Sequence, residues 1–192
     1  RGGAWIASRS ADAGGIVAPD EGHVIIAGFG RVGQQIGALL DVDKIPWVAL
    51  DRNPDVVVAN RALGRPVLFG GADRLALLRR AGAERASALV VTLDDPQATC
   101  AAVSVARRAW PQLPVFARAR DNGHAAELES LGVSDPVPEA TEASLTLGGR
   151  LLAGLGIPGE AIARQLEDVR AADAAARTSG GGRNTPPTTD AN

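Results

Sequence analysis

The chain has 192 residues, 45% of them hydrophobic, and a formal net charge of -2, a size that suits one α/β domain with tails, since domains usually run to about 100–200 residues. Its apolar residues lie in short runs, none reaching the roughly 20 that cross a bilayer, and a near-neutral charge with Lys44 as the only lysine leaves no general basic surface for nucleic acid. Cys100 is the only cysteine and no basic segment followed by an apolar one opens the chain, so neither a disulfide framework nor secretion is expected, and a reducing, cytosolic setting fits.

Residues 1–21 mix Gly, Ser, Ala and acids without periodicity and read as a linker. Residues 23–27 then form a compact apolar run that ends in glycine, the pattern of a buried first strand. Similar runs recur at 47–50, 66–69, 88–92 and 114–117, each separated by a stretch long enough for a helix. Strands alternating with helices imply right-handed crossovers and a parallel sheet.

In the first helix Val32, Ile36, Leu39 and Leu40 form an apolar stripe, while Gly33 and Gly37 permit close approach to the first strand. Asp95 followed by Pro96 supplies an N-cap and a proline at the first helical position, ahead of an Ala-rich stretch that runs to Ala109 and stops at Pro111. A short sixth strand is expected at 133–137 and a helix at 139–155. The predicted fold is therefore a Rossmann-like, doubly wound parallel sheet of about six strands with helices on both faces, occupying residues 22–157. A helical extension follows over 158–176, and the Gly- and Pro/Thr-rich residues 177–192 are expected to be disordered, having too little apolar surface to offset ordering entropy.

The motif Gly28-Phe29-Gly30-Arg31-Val32-Gly33 draws its meaning from context. Gly28 follows a strand and Gly33 opens an amphipathic helix, whose free N–H groups and positive dipole end can receive a phosphate. Gly28 suits the tight turn, Gly30 lets the backbone approach the phosphate, and Gly33 packs helix on strand. Asp51, eighteen residues after Gly33, ends the second strand where an acid would hydrogen-bond the ribose hydroxyls. Asp51 would repel a 2′-phosphate, although Arg52 beside it leaves room for a different arrangement. Arg31 is a cation at a helix start, where its own interaction with the dipole is unfavourable and an anionic partner would relieve it; the plain alternative is a solvated arginine.

Arg118 and Arg120, two apart on the fifth strand, would share a face and could form a cationic fork, or simply be solvated or paired within the chain. Asp94, Thr92 and Asp73 fall near the same crevice in a Rossmann strand order. Asp95 is explained sufficiently as a helix cap. His23, His124 and Cys100 form no cluster with metal-ligand spacing, so structural roles suit them best.

From Val24 to Leu155 the chain resembles the RCK or TrkA-N family of potassium-transport regulatory domains, in particular the C-terminal domains of Kef-type glutathione-gated potassium/proton antiporters. The resemblance rests on ordered phrases: the turn from Val24 to Gln34, Leu50-Asp51-Arg52-Asn53-Pro54-Asp55, Leu77-Leu78-Arg79-Arg80-Ala81-Gly82-Ala83, Asp94-Asp95-Pro96, and Phe116-Ala117-Arg118-Ala119-Arg120-Asp121. The family's Gly-Asp-Ala-Thr or Gly-Asp-Ala-Ser after strand three is here Gly70-Gly71-Ala72-Asp73, with the carboxylate two positions later, and its Arg-Glu-Thr is Pro138-Glu139-Ala140. The resemblance implies a homodimer on the cytoplasmic side of a bacterial inner-membrane antiporter. It also implies a non-enzymatic domain that holds AMP or another adenine nucleotide, NAD(H) or ATP, at the glycine turn, and glutathione as the regulatory ligand. Carried onto this chain, the nucleotide residues are Gly28, Phe29, Gly30, Arg31, Val32, Gly33, Asp51, Arg52, Gly71, Ala72, Asp73, Thr92 and Asp94, and the regulatory-ligand residues are Arg31, Arg118 and Arg120.

Two other classes compete. A nicotinamide-dependent oxidoreductase is the default suggestion of a Rossmann turn, but the chain has no tyrosine, one lysine and few residues beyond the fold for a substrate domain. A free-standing Trk-like subunit of potassium uptake, gated by NAD(H) or ATP, shares the turn but lacks the Ala-Arg-Ala-Arg-Asp phrase.

Overall fold

The structure is a computed structural model and describes residues 16, 18, 19 and 22–180. Five strands, β1 (Val24–Ala27), β2 (Trp47–Asp51), β3 (Val67–Phe69), β4 (Ala88–Val91) and β5 (Val115–Ala119), are joined by a two-residue β6 (Val137–Pro138) into one sheet of order β3-β2-β1-β4-β5-β6. Every pairing is parallel. The connecting helices are α1 (Arg31–Val42), α2 (Pro54–Ala62), α3 (Leu75–Arg80), α4 (Pro96–Ala109) and α5 (Asn122–Ser130), followed by α6 (Glu139–Gly154) and α7 (Gly159–Gly180).

Side-chain alternation along the strands divides the interior in two. Ile25, Ala27, Val48, Leu50, Leu89, Val91, Val115 and Ala117 join Leu78 of α3, Ala102, Val103 and Ala106 of α4, and Ala125 and Leu128 of α5 in the larger core. Ile26, Ala49 and Val67 point the other way, to Val57 of α2 and to Ile36 and Leu40 of α1. The small residues of α4 bring its axis close to the sheet, and each fully buried Leu or Ile contributes roughly 1.5–3 kcal/mol. Helices thus cover both faces of β1, but on the α1 side the outer strands are bare: Phe116 is 55% and Val137 50% exposed.

Helix starts are set locally. Asn53 caps α2 by accepting from the Asp55 amide (2.9 Å), Asp95 caps α4 through the Gln97 amide (2.8 Å), and Asp121 caps α5 through the His124 amide (2.9 Å). Pro54 and Pro96 stand at the first helical positions, where a missing N–H costs nothing.

Four expectations are corrected. Leu39 does not belong to the buried stripe of α1 but is 67% exposed, because the residues turned to the sheet are Gly33 and Gly37. The sixth strand is confined to Val137–Pro138, while Val133 is a buried residue of the larger core just after α5. Helix α7 runs to Gly180, beyond the 176 at which it was expected to end, and its Arg177 pairs with Glu129 of α5 at 3.1 Å; residues 181–192 lie outside the described residues. Within the segment expected as a linker, Ile16 packs against the larger core and Ala18 is buried; the rest of it, residue 19 apart, lies outside the described residues up to Gly22.

Candidate functional site

The sheet order reverses between β1 and β4, which opens a crevice beyond the strands' C-terminal ends, the place where open α/β sheets hold their ligands. The glycine turn lies there. Gly28 adopts φ +99°, a conformation that L side chains rarely reach. Its amide donates to the Leu50 carbonyl at 2.8 Å and its carbonyl accepts from Thr92 Oγ1 at 2.7 Å. A Cβ on Gly30 would face open space, so the backbone there is approachable, whereas one on Gly33 would overlap the Gly28 carbonyl oxygen. Three glycines therefore meet three different steric demands.

Directly after the turn, α1 starts with no side-chain cap at Gly30 and no acid in its first turn, as does the six-residue α3, whereas α2, α4 and α5 are capped by side chains. Its first N–H groups have no intrahelical acceptor, and with the helix dipole they form an anion seat. Arg31, the first helical residue, is exposed and has no side-chain partner among the described residues. Val32 is half-buried on the next position.

Asp51 ends β2 beside the turn. One carboxylate oxygen accepts from the Phe29 amide (2.7 Å) and the other from the Asn53 amide (2.7 Å). It therefore ties the glycine turn to β2 and the entry of α2, a role that spacing could not reveal, and two of its roughly four lone-pair sites stay open. Phe29 was expected among the ligand contacts, but its ring is fully buried and stacks on Trp47 with centroids 5.0 Å apart, so any contact must come through its backbone. Ala72 is likewise buried in the larger core. Arg52 turns instead to Asp73, with Nη2 2.5 Å from Oδ1, and that adjacent guanidinium holds the Asp73 carboxyl below the usual carboxylate range. The pair lies where a Cβ on Gly71 would be.

On the other side of the turn, Val32, Ile36, Val90, Thr92, Phe116, Ala117, Arg118, Val137 and Glu139 line a cavity of about 270 Å³. Its walls are apolar apart from the rim. There Arg118 bridges two carboxylates, Asp94 at 2.5 Å and Glu139. Partial burial works against the Arg118 charge, and the hydrogen bonds to Asp94 and Glu139 outweigh it, so its pKa is held up. The expected fork of Arg118 and Arg120 does not form. β5 ends at Ala119, and Arg120, one residue beyond, pairs with Asp121 at 3.2 Å. Asp94 is correspondingly committed to Arg118.

Glu139, Phe116 and Val137 were not among the site residues expected from the sequence, yet they line this cavity. Glu139 lies 21 residues beyond Arg118 and is brought to it by the pairing of β5 with β6, in which Arg118 faces Val137; a two-residue strand leaves no periodic signal. His23 is buried with Nε2 2.7 Å from the Ala81 carbonyl oxygen, and His124 Nδ1 accepts from the Arg120 amide at 3.1 Å. Burial and the nearby Glu127 push the Cys100 thiol up to about 11, so it stays protonated at neutral pH. These three residues serve the framework.

A parallel sheet in this order, with an uncapped helix start over a glycine turn and an acid at the tip of β2, defines a Rossmann-like domain of the nucleotide-holding class. The TrkA-N domain family model matches residues 24–138, and the chain belongs to that family. Among relatives, the chloroplastic K(+) efflux antiporter 1 of Arabidopsis thaliana is 43% identical over 150 residues, 78% of this chain and 13% of that protein. The glutathione-regulated potassium-efflux system protein KefC of Cronobacter sakazakii is 39% identical over 150 residues, 78% of this chain and 24% of its own. The chain thus spans a quarter or less of the length of these relatives. The Shewanella denitrificans Kef CTD in AMP-bound form superposes with a TM-score of 0.72 at 33% identity, covering 82% of this chain and 96% of that one. No helix among the described residues is long and apolar enough to cross a membrane.

Proposed function

We propose that this chain is the cytoplasmic regulatory domain of a Kef-type potassium/proton antiporter, a non-enzymatic unit that binds an adenine nucleotide, AMP in preference to NAD(H) or ATP. The observation that carries this reading is the uncapped start of α1 over the Gly28–Gly33 turn, with Asp51 held at its side by the Phe29 amide. Phosphate would sit on the first-turn N–H groups, and the ribose hydroxyls would donate to Asp51. A similar domain, at 33% identity, is described in AMP-bound form. In this reading residues 22–157 form the nucleotide-binding unit, the segment from 158 to the end of α7 at Gly180 an extension, and the antiporter's membrane part is the partner whose populations the ligand shifts.

Glutathione is the proposed regulatory ligand, its carboxylates suited to the exposed Arg31, which has no side-chain partner among the described residues. Arg118 would join only by exchanging Asp94 or Glu139 for the ligand, so its pairs set the cost of binding there. The proposed homodimer is supported by Leu147 and Leu151 of α6 and its C-cap Leu155, which are 71%, 63% and 70% exposed and lie four apart along one side.

Mass spectrometry of small molecules released from the purified, denatured protein tests the reading. AMP is the expected species. Recovery of a nicotinamide nucleotide together with substrate-dependent hydride transfer would overturn it in favour of an oxidoreductase.

A further inference from the structure

We propose that Asp73 is a specificity-determining residue of this site: by engaging the Arg52 guanidinium it makes the site reject nucleotides that carry a ribose 2′-phosphate. The inference rests on the nucleotide reading above and adds to it the class of nucleotide admitted.

The tip of the second strand is where a dinucleotide fold chooses its ribose. An acid there accepts from free hydroxyls, and an arginine nearby accommodates a 2′-phosphate. This chain carries both, Asp51 and Arg52, side by side, so residue types alone leave the choice open. The structure divides them. Asp51 faces the glycine turn through the Phe29 amide, while Arg52 reaches across to the loop after β3 and meets Asp73 at 2.5 Å.

That loop is placed for the task. β3 pairs with β2 so that Phe69 lies opposite Asp51, and the Gly70 amide donates to the Asp51 carbonyl at 2.8 Å. The next residue is Gly71, and the volume a Cβ would fill there is taken by Arg52 Nε and Asp73 Oδ1. The bare glycine lets the ion pair lie down on the backbone, and any side chain at this position would push the two groups apart. Gly71 and Asp73 therefore act together to hold Arg52.

The electrostatic consequence follows from counting charges. Asp51, Arg52, Asp73 and the neighbouring Arg74, whose charge also acts on Asp73, sum to zero, so no surplus positive charge is left for the roughly 1.5–2 negative charges of a phosphate monoester at neutral pH. An exposed ion pair such as Arg52 with Asp73 contributes little to stability. Its effect lies in competition, because the guanidinium that would grip a 2′-phosphate bidentately already has a carboxylate. Removing the Asp73 charge should release it.

The test compares 5′-AMP with adenosine 2′,5′-bisphosphate, which differ only by the 2′-phosphate, by calorimetry on the whole chain. Wild type is expected to favour 5′-AMP. In Asp73→Asn, which keeps the shape and drops the charge, the ratio of the two dissociation constants should move toward the bisphosphate by about tenfold, the size of one charge-assisted pair. Adding Arg52→Gln should cancel that shift. A ratio unchanged in Asp73→Asn while 5′-AMP still binds, or a shift that survives Arg52→Gln, would overturn the role of Asp73. Binding of neither nucleotide to wild type would remove the nucleotide reading itself, and this inference with it.

Discussion

Gly33 shows how a single hydrogen atom can decide where a helix sits. Alanine is favoured over glycine inside a helix by roughly 0.5–1 kcal/mol, so propensity alone makes Gly33→Ala stabilising. The steric argument has the opposite sign, since the added methyl would overlap the Gly28 carbonyl oxygen and stand 3.3 Å from Ile26 Cγ2. A backbone carbonyl in a tight turn cannot step aside, and overpacking costs about 1–3 kcal/mol. Gly33→Ala should therefore lower the midpoint of denaturant unfolding, and a raised midpoint would show that α1 does not touch the turn as described. The glycine roles were readable because each follows from chain order. The commitments of Arg118 to Glu139 and of Arg52 to Asp73 were not, because side-chain partners 21 residues apart in one case and 21 in the other are chosen by strand register, which no local pattern encodes.

Among the elements, α1 and α6 show two ways in which an apolar pattern is used. In α1 the four-residue stripe suggested that Leu39 faces inward, yet the helix turns its glycines to the sheet. Gly37 admits Phe29 and Trp47 to within 3.3 Å of its Cβ position, and Trp47 Nε1 donates to Asp41 at 2.8 Å. Close approach outweighed the burial of one leucine. In α6 the inner face packs on α7, where a Cβ on Gly149 would meet Leu166 and Ile162 and Glu142 pairs with Arg170 at 2.9 Å. Its outward leucines have no cover among the described residues. In the proposed homodimer a second copy of the chain covers them, so the protein should sediment as a dimer at micromolar concentration, and Leu151→Asp should return it to a folded monomer whose unfolding midpoint no longer depends on protein concentration. A wild-type monomer, or a dimeric Leu151→Asp, would contradict this assignment of α6.

At the scale of the whole molecule, alternating runs and crossovers sufficed to anticipate a six-stranded parallel sheet, because both properties are local and repeated. The marginal β6 was misplaced and α7 was cut short, since a two-residue strand and an Ala-rich helix held by ion pairs depend on neighbours rather than on their own pattern. The same contrast governs the site. The proposed phosphate seat rests on a strand, a turn and a helix in order, while the rim depends on which distant carboxylate each arginine finds.

The central claim, that Asp51 receives the ribose of an adenine nucleotide seated on α1, is tested most directly by calorimetry with 5′-AMP and its 2′,3′-dideoxy analogue on wild type and Asp51→Ala. Hydrogen bonds to a charged group are worth about 1.5–3 kcal/mol, so wild type should bind 5′-AMP at least roughly tenfold more tightly than the analogue. Asp51→Ala should bind 5′-AMP more weakly and no longer distinguish the two. Equal affinity of wild type for both nucleotides, or no binding of 5′-AMP at all, would contradict the account.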